Sequence, residues 1–373
     1  MSKSILANDL IRKFEQWAPK KLAYNWDNVG LQVGTLNKQI SKIMITLDVL
    51  ENVVDEAIDK SIDLIIAHHP LLFNSIKKID IDSPSGRIIN KLIKHDITVY
   101  AAHTNLDIVD GGVSDMLADQ LDIKITNVLL PSDTDQLQKL IVYVPESHAD
   151  FLIEAMGAAG AGYIGNYSHC SFKTTGTGAF KPMQGTNPYI GTEGQTQEVQ
   201  EVKIETIIKK SQIPVLIPLV EKVHPYEEVA YDLIPLENKG SEIGAGRVGD
   251  LQESMTLNAF CEFIKERFDV PVLRVTGDLE AHVKKVAILG GSGKGFISEA
   301  KQLGADVYVT GDMTFHEAQD AMGLGLNVVD PGHHVEKVMK QVVKAFLDKQ
   351  IVEMDADVEV ITSTSNTEPF QFL

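Results

Sequence analysis

The chain has 373 residues, 44% of them hydrophobic, and a formal net charge of -18. That length allows more than one domain with a sizeable core, and the acidic balance repels polyanions while drawing in cations, which argues against general nucleic-acid binding. No run approaches the ~18 apolar residues of a membrane span, the start "MSKSILANDLIRKFEQW" reads as a helix without a signal-peptide core, and Cys170 and Cys261 stand outside any C-x-x-C spacing. A cytoplasmic protein with no membrane partner, no disulfide framework and no thiolate zinc site is expected.

From Ser41 the elements come in alternation. "KIMITLDVL", "DLIIAHHP" and "ITVYAAHTNLD" are β-rich runs, while "ENVVDEAIDKS", "SGRIINKLIKHD" and "GGVSDMLADQL" carry helical periodicity. Short apolar strands between amphipathic helices predict an α/β lobe on a mostly parallel sheet covered on both faces. The pattern then changes: "LQKLIVYVP", "ESHADFLIEAMGAAGAG" and "NYSHCSFKTTGTGAF" read strand, helix, strand, a Gly/Thr/Gln-rich loop follows, and "VKIETIIKK", "SQIPVLIPLVEKVHP" and "VAYDLIPL" read strand, helix, strand. This β-α-β-β-α-β order is the ferredoxin-like plan. After Lys284 the first pattern returns in "KKVAILGG", "GFISEAKQLG", "ADVYVTGD", "FHEAQDAMGLG", "NVVDPG" and "HHVEKVMKQVVKAFLDKQ". The predicted fold is α/β, with similar lobes at 1–126 and 239–373 and an inserted ferredoxin-like α+β domain at 127–238.

Ligands of open parallel sheets gather beyond the carboxyl ends of strands, and four clusters meet that rule. His68 and His69 follow the strand of "LIIAHHPLLF", where Pro70 stops further pairing, so two imidazoles at a bend can serve two neighbouring ions. If "AAHTNLD" stays extended, His103, Asn105 and Asp107 share one face, with Asp107 as a hard ligand and the other two as orienting or substrate-binding groups. In "DPGHHVEKVMK" a helix is expected from about His333, bringing His333 and Glu336 onto one face while His334 diverges. "LGGSGKGF" resembles a phosphate loop but has Gly295 where the Mg²⁺-binding hydroxyl belongs, leaving a tight turn or a modest anion site. Each cluster also has a bland reading: paired loop histidines, an Asx-turn at Asp107, a solvated helix start. Asp312, with His316 and Glu317 after it, reads as an outer group, "YNWDNVGLQVG" as a turn, and "HPYEEVAYDL" as a structural turn and strand start. Together the clusters supply nitrogen and oxygen donors without thiolate, a set suited to Zn²⁺, Mn²⁺, Fe²⁺ or Co²⁺. Five residues exceed what one closed zinc site takes, so a pair of ions ~3.5–4 Å apart, bridged by a carboxylate, is the economical expectation.

"AHHPLLF", "HTNLD" and "DPGHHVEK", with "WDNVGLQVG" upstream, resemble the signature segments of the NIF3-like family, also called the GTP cyclohydrolase I type 2 family. The resemblance covers both lobes and matches the longer bacterial form with an inserted PII-like or CutA-like domain. It implies a dinuclear metal site in a cleft between the lobes, with ligands His68, His69, Asp107, His333 and Glu336, and Glu336 as the bridge. It also implies a homohexameric ring and attack of metal-activated water on the GTP purine. In some members the glutamate follows its histidine by four residues, whereas Glu336 follows His333 by three. Two functions are therefore carried forward: a metal-dependent hydrolase of a nucleotide or phosphorylated metabolite, and a non-catalytic metal-binding regulator whose insert senses a small molecule or docks a partner.

Overall fold

The computed structural model describes residues 4–372, the side chain of Asp133 excepted. The chain divides into two compact units, one made of Met1–Ser132 with Ile243–Leu373 and the other of Asp133–Glu242.

The first unit contains two sheets. One has five strands in the order Glu359–Thr362, Lys42–Thr46, Leu64–Ala67, Thr98–Ala101, Gly30–Val33, parallel except for the last pair. Its three central strands are short and buried along their length apart from the half-buried Lys42, as strands covered on both faces must be. The strand Glu359–Thr362, from the far end of the chain, completes this sheet rather than the one built by its sequence neighbours. The other sheet runs Arg274–Thr276, Asn327–Asp330, Val307–Gly311, His282–Ser292, Ser241–Thr256, Lys124–Asp135. Here Val307–Gly311 pairs in parallel on both sides, but Ser241–Thr256 and Arg274–Thr276 pair antiparallel. The fold is mixed α/β, and the expectation of mostly parallel sheets fails for this second sheet. The sixteen-residue strand Ser241–Thr256 pairs antiparallel with His282–Ser292 although the helix Leu257–Phe268 lies between them in the chain, so strand-helix alternation in the sequence does not fix the pairing direction here.

Two helix readings also change. The strand expected through "ITVYAAHTNLD" ends at Ala101, and Thr104–Ile108 is a short helix. The backbone N–H and the hydroxyl of Thr104 both donate to Asp27, at 3.0 and 2.5 Å, which turns the chain out of the sheet. The helix expected from His333 starts as a 3₁₀ turn over His333–Val338 and becomes α-helical at Met339–Glu353. Buried Met339, Val343, Leu347 and Ile351 recur every four residues along that helix, the spacing of one helical face. Phe346 packs against Trp17 of the Ala7–Trp17 helix, ring centroids 4.7 Å apart. One contiguous apolar core joins Leu10, Phe14, Leu64 and Tyr100 to Phe260, Ile288, Val309 and Leu347.

The second unit is a four-stranded antiparallel sheet in the order Tyr231–Pro235, Leu137–Pro145, Gln197–Lys209, Ser171–Phe180. The helices Ala149–Ala158 and Ile213–Val223 close its own core around Leu140, Val142, Leu152, Ile204 and Leu216. Among the described residues no helix is long and apolar enough to cross a membrane.

Buried Arg247 ties the two halves of the first unit together. Its guanidinium donates to both Asp115 oxygens, at 2.7 and 2.6 Å, and to the carbonyls of Gly244, Gly246 and Val109, so all of its donors are engaged. Removing one partner of such a pair leaves a charge stranded in the interior. Arg247→Ala should lower the unfolding free energy by about 3–5 kcal/mol in urea denaturation, and Arg247→Lys, which lacks the fork, should recover only part of the loss. A shift below about 1 kcal/mol for Arg247→Ala, the level of an exposed pair, would refute the assignment.

Candidate metal centre

The His68 and His69 backbone N–H groups still donate to the Thr46 and Leu47 carbonyls beyond the end of their strand. The turn there lets both rings face one point, with centroids 5.0 Å apart, although adjacent residues on a regular strand would diverge. Glu336 Oε2 lies at that point, 3.7 Å from His68 Nε2, 3.2 Å from His69 Nε2 and 3.1 Å from His333 Nε2. In a 3₁₀ turn residues i and i+3 eclipse, so the spacing of three between His333 and Glu336 is the one that this local backbone brings together. Asp107 Oδ1 stands 3.4 Å from His68 Nε2. Both of these atoms are buried and without a hydrogen-bond partner among the described residues. Orphaned donors facing each other across a gap are what a cation would satisfy.

Behind the rings, each Nδ1 is taken. His68 Nδ1 donates to the Ala102 carbonyl at 2.9 Å, His69 Nδ1 to Asp48 at 2.7 Å, His333 Nδ1 to Asp312 at 2.9 Å, and His103 Nδ1 to Asp27 at 2.9 Å. A carbonyl or carboxylate only accepts, so the neutral form of each ring carries its proton on Nδ1 and its lone pair on Nε2, pointing inward. Metal-ligating histidines are oriented in this way. Three overlapping sets of donors lie within 4.8 Å of one another: His68, His69 and His103; His69, His333 and Glu336; His68, Asp107 and Glu336.

Charge and burial compete at the centre. Burial alone would depress the His69 pKa, but Asp48 and Glu336 outweigh it and push it up to about 10. His333 rises to about 9 against the same burial, through Glu336 and Asp312, and His68 also rises, through Asp107 and Glu336. Glu336 would be raised by burial, yet the imidazoles of His333, His68 and His69 hold it well below the usual carboxylate range. Burial, partly offset by His68 and reinforced by Glu336, pushes Asp107 up to about 6.

Not every residue singled out in the sequence joins this group. Asn105 is fully buried and its side-chain amide donates to the Ala18 carbonyl at 2.8 Å. Because the segment is helical there, it does not share a face with His103 and Asp107 as an extended strand would require. His334 meets Thr367 instead of the centre. His316 is exposed, edge-on to Phe315. The glycines of "LGGSGKGF" lie at the centre for a steric reason: a Cβ on Gly291, where φ is +60°, would sit 2.9 Å from Glu336 Oε1 and 3.3 Å from His333 Nε2, and one on Gly290 would sit 2.8 Å from Glu336 Oε1. His224 uses both ring nitrogens inside its own turn, donating to the Tyr143 carbonyl and accepting from the Tyr226 N–H. Two carboxylates went unassigned from sequence. Asp48 sits just past the end of the Lys42–Thr46 strand, where the strand-end rule would have found it, and Asp27 lies within "WDN", read as a turn.

Residues 5–369 match the family described as Duf34/NIF3 (NGG1p interacting factor 3). The chain belongs to that family. Within it, the chain is 52% identical over 373 residues to a Bacillus subtilis (strain 168) protein named GTP cyclohydrolase 1 type 2 homolog, each chain covered in full. The crystal structure of a Bacillus cereus protein related to NIF3 superposes with a TM-score of 0.88 at 50% identity, covering 98% of this chain and 99% of that one. Staphylococcus aureus protein SA1388 follows with a TM-score of 0.71 at 33% identity, covering 99% of each.

In protein stripped by a chelator, histidine-selective NMR should find His69 losing its proton near pH 10 and His333 near pH 9, both charged at neutrality. Glu336→Gln removes the shared anion and should return both toward the ordinary 6.5. Wild-type rings that titrate at or below that ordinary value would contradict the arrangement.

Proposed function

We propose that this chain is a metal-dependent hydrolase of a nucleotide or related phosphorylated metabolite, with two divalent ions held by His68, His69, Asp107, His333 and Glu336. The observation that carries the reading is the single oxygen Glu336 Oε2, faced by three imidazole Nε2 atoms whose Nδ1 positions are all occupied from behind. Five donor residues, the shared carboxylate of Glu336 among them, exceed the four of a closed structural site. Ions of this class, when bound, supply Lewis acidity to a substrate oxygen and lower the pKa of water.

The rest falls to the chain's own groups. Asp48 and Asp312 hold the His69 and His333 rings in one tautomer and orientation. His103, anchored through Nδ1 to Asp27, keeps Nε2 free to accept or return a proton at the edge of the centre. Burial would raise the Asp27 pKa, but the bonds from His103 and Thr104 lower it to about 2, so Asp27 stays a charged acceptor for both. The name of the Bacillus subtilis relative, GTP cyclohydrolase 1 type 2 homolog, makes a purine nucleotide the first substrate to assay. The unit Asp133–Glu242 is read as the ferredoxin-like domain, on its alternating strand order and two covering helices. The donor sets found among the described residues all lie in the other unit, and a regulatory role is the one we assign to Asp133–Glu242.

Elemental analysis of protein loaded with Mn²⁺, Zn²⁺ or Fe²⁺ should give about two ions per chain, falling in His68→Ala and Glu336→Ala together with hydrolysis across a nucleotide panel. Asp48→Asn should weaken metal binding about 10–100-fold with the fold intact. Affinity should rise between pH 6 and pH 9, because a cation must displace the protons that His69 and His333 retain. Wild-type protein that takes up no metal would end the reading, whereas full loading without turnover on any nucleotide would leave the regulatory one.

A further inference from the structure

We propose that Trp26, with Tyr24 and Phe73, forms a stacking platform that presents a planar nitrogen heterocycle to the centre. The inference rests on the reading of that centre as a hydrolytic metal site and names the class of substrate that it takes.

The chain has two tryptophans, in contrasting situations. Trp17 packs between Phe14 and Phe346 and donates its indole N–H to the Asp110 carbonyl. Trp26 is 60% exposed and Phe73 is 50% exposed, and the Trp26 indole N–H donates to no described residue. Water gains nothing by contact with indole and phenyl faces, so such rings held on a surface mark a contact yet to be made.

These rings run into the centre without a break. Tyr24 stacks on Trp26 at 5.7 Å with 20° between planes, and Trp26 lies 5.9 Å from Phe73. Trp26 and Phe73 both meet His103 edge-on, at 6.1 and 6.4 Å, and His103 in turn meets His68 at 5.3 Å and His69 at 5.5 Å. His103 thus links the aromatic rings to the imidazoles of the centre.

The loops that carry the aromatics are fastened to each other and to the centre. Asp27 accepts from His103 Nδ1, the Thr104 N–H and the Thr104 hydroxyl. Asn28 Nδ2 donates to the Leu72 carbonyl, and Gln32 both donates to the Asn28 carbonyl and accepts from the Leu72 N–H. Residues 26 and 73 are thus held in register by bonds of their immediate neighbours, so little ordering remains to be done on binding. Stacking tolerates any heterocycle, since every base has a π-face. A planar base covers such a face with its whole π-system whereas a sugar offers only C–H groups, so the rings favour the heterocycle, and finer choice is left to groups at the ring's edge.

The test titrates wild-type and Trp26→Ala protein, metal-loaded and metal-free, with guanosine, adenosine, cytidine, a pterin, nicotinamide and ribose 5-phosphate, following indole emission and calorimetric heat. At least one heterocycle should quench wild-type emission and bind Trp26→Ala at least about fivefold more weakly, Trp26→Phe should recover most of the affinity, and ribose 5-phosphate should not compete. Metal content is measured on the same samples and should be unchanged in Trp26→Ala. The platform is overturned if no heterocycle binds, if Trp26→Ala binds as tightly as wild type, or if acrylamide fails to reach Trp26 in the free protein because another copy covers it. Failure of the metal centre reads out separately, as loss of metal from the wild type with stacking retained in the metal-free series.

Discussion

Everything at the centre is arranged around the buried carboxylate of Glu336, 3% exposed and pressed against three imidazoles. A carboxylate in that position is costly unless positive charge compensates it. Protons on His69 and His333 provide that compensation when no cation does, which explains why these rings are so basic and why proton and cation compete for one place. The glycines at 290 and 291 belong to the same constraint, since any side chain there would occupy the space of the Glu336 oxygen.

Around this group lies an outer layer whose function is orientation. Asp27, Asp48 and Asp312 each hold one imidazole through Nδ1, and the Ala102 carbonyl holds the fourth. Asp330 performs a parallel task for the backbone: buried, it accepts from the Met313 and Gly332 N–H groups and from Arg274, fixing the turn that delivers His333. With Arg247 locking the Ser241–Thr256 strand to the helix Val113–Gln120, the halves that carry the donors are held by buried polar contacts as well as by one apolar core. Rigid support of this sort makes inward-pointing lone pairs useful, because a site loose by an ångström loses its chemistry.

The membership in the Duf34/NIF3 family and the close superposition on the Bacillus cereus structure give this arrangement a setting. Several side chains lie at the rim of the centre. Trp26 and Phe73 on one side, His103 beneath them and the glycine turn opposite Glu336 are the features through which a ligand would be chosen.

Much of this was legible in the sequence because it depends on local pattern. Strand and helix alternation follows from apolar periodicity, and histidines and carboxylates after strand ends stand out where open sheets place ligands. What stayed hidden depends on contacts across the fold. Asn105 looked like a partner of Asp107 until Thr104, bonded to Asp27, turned the chain into a helix. Asp48 and Asp27 gained their tasks only from rings that fold onto them. The antiparallel pairing of Ser241–Thr256 with His282–Ser292, and the passage of Glu359–Thr362 into the first sheet, join segments whose pairing no local pattern records. Taken alone, the sequence determined which residues have the chemistry to bind a cation and where each sits on its own element. The tertiary structure decided which of them meet, because only packing brings His69 and Glu336, 267 residues apart, to 3.2 Å.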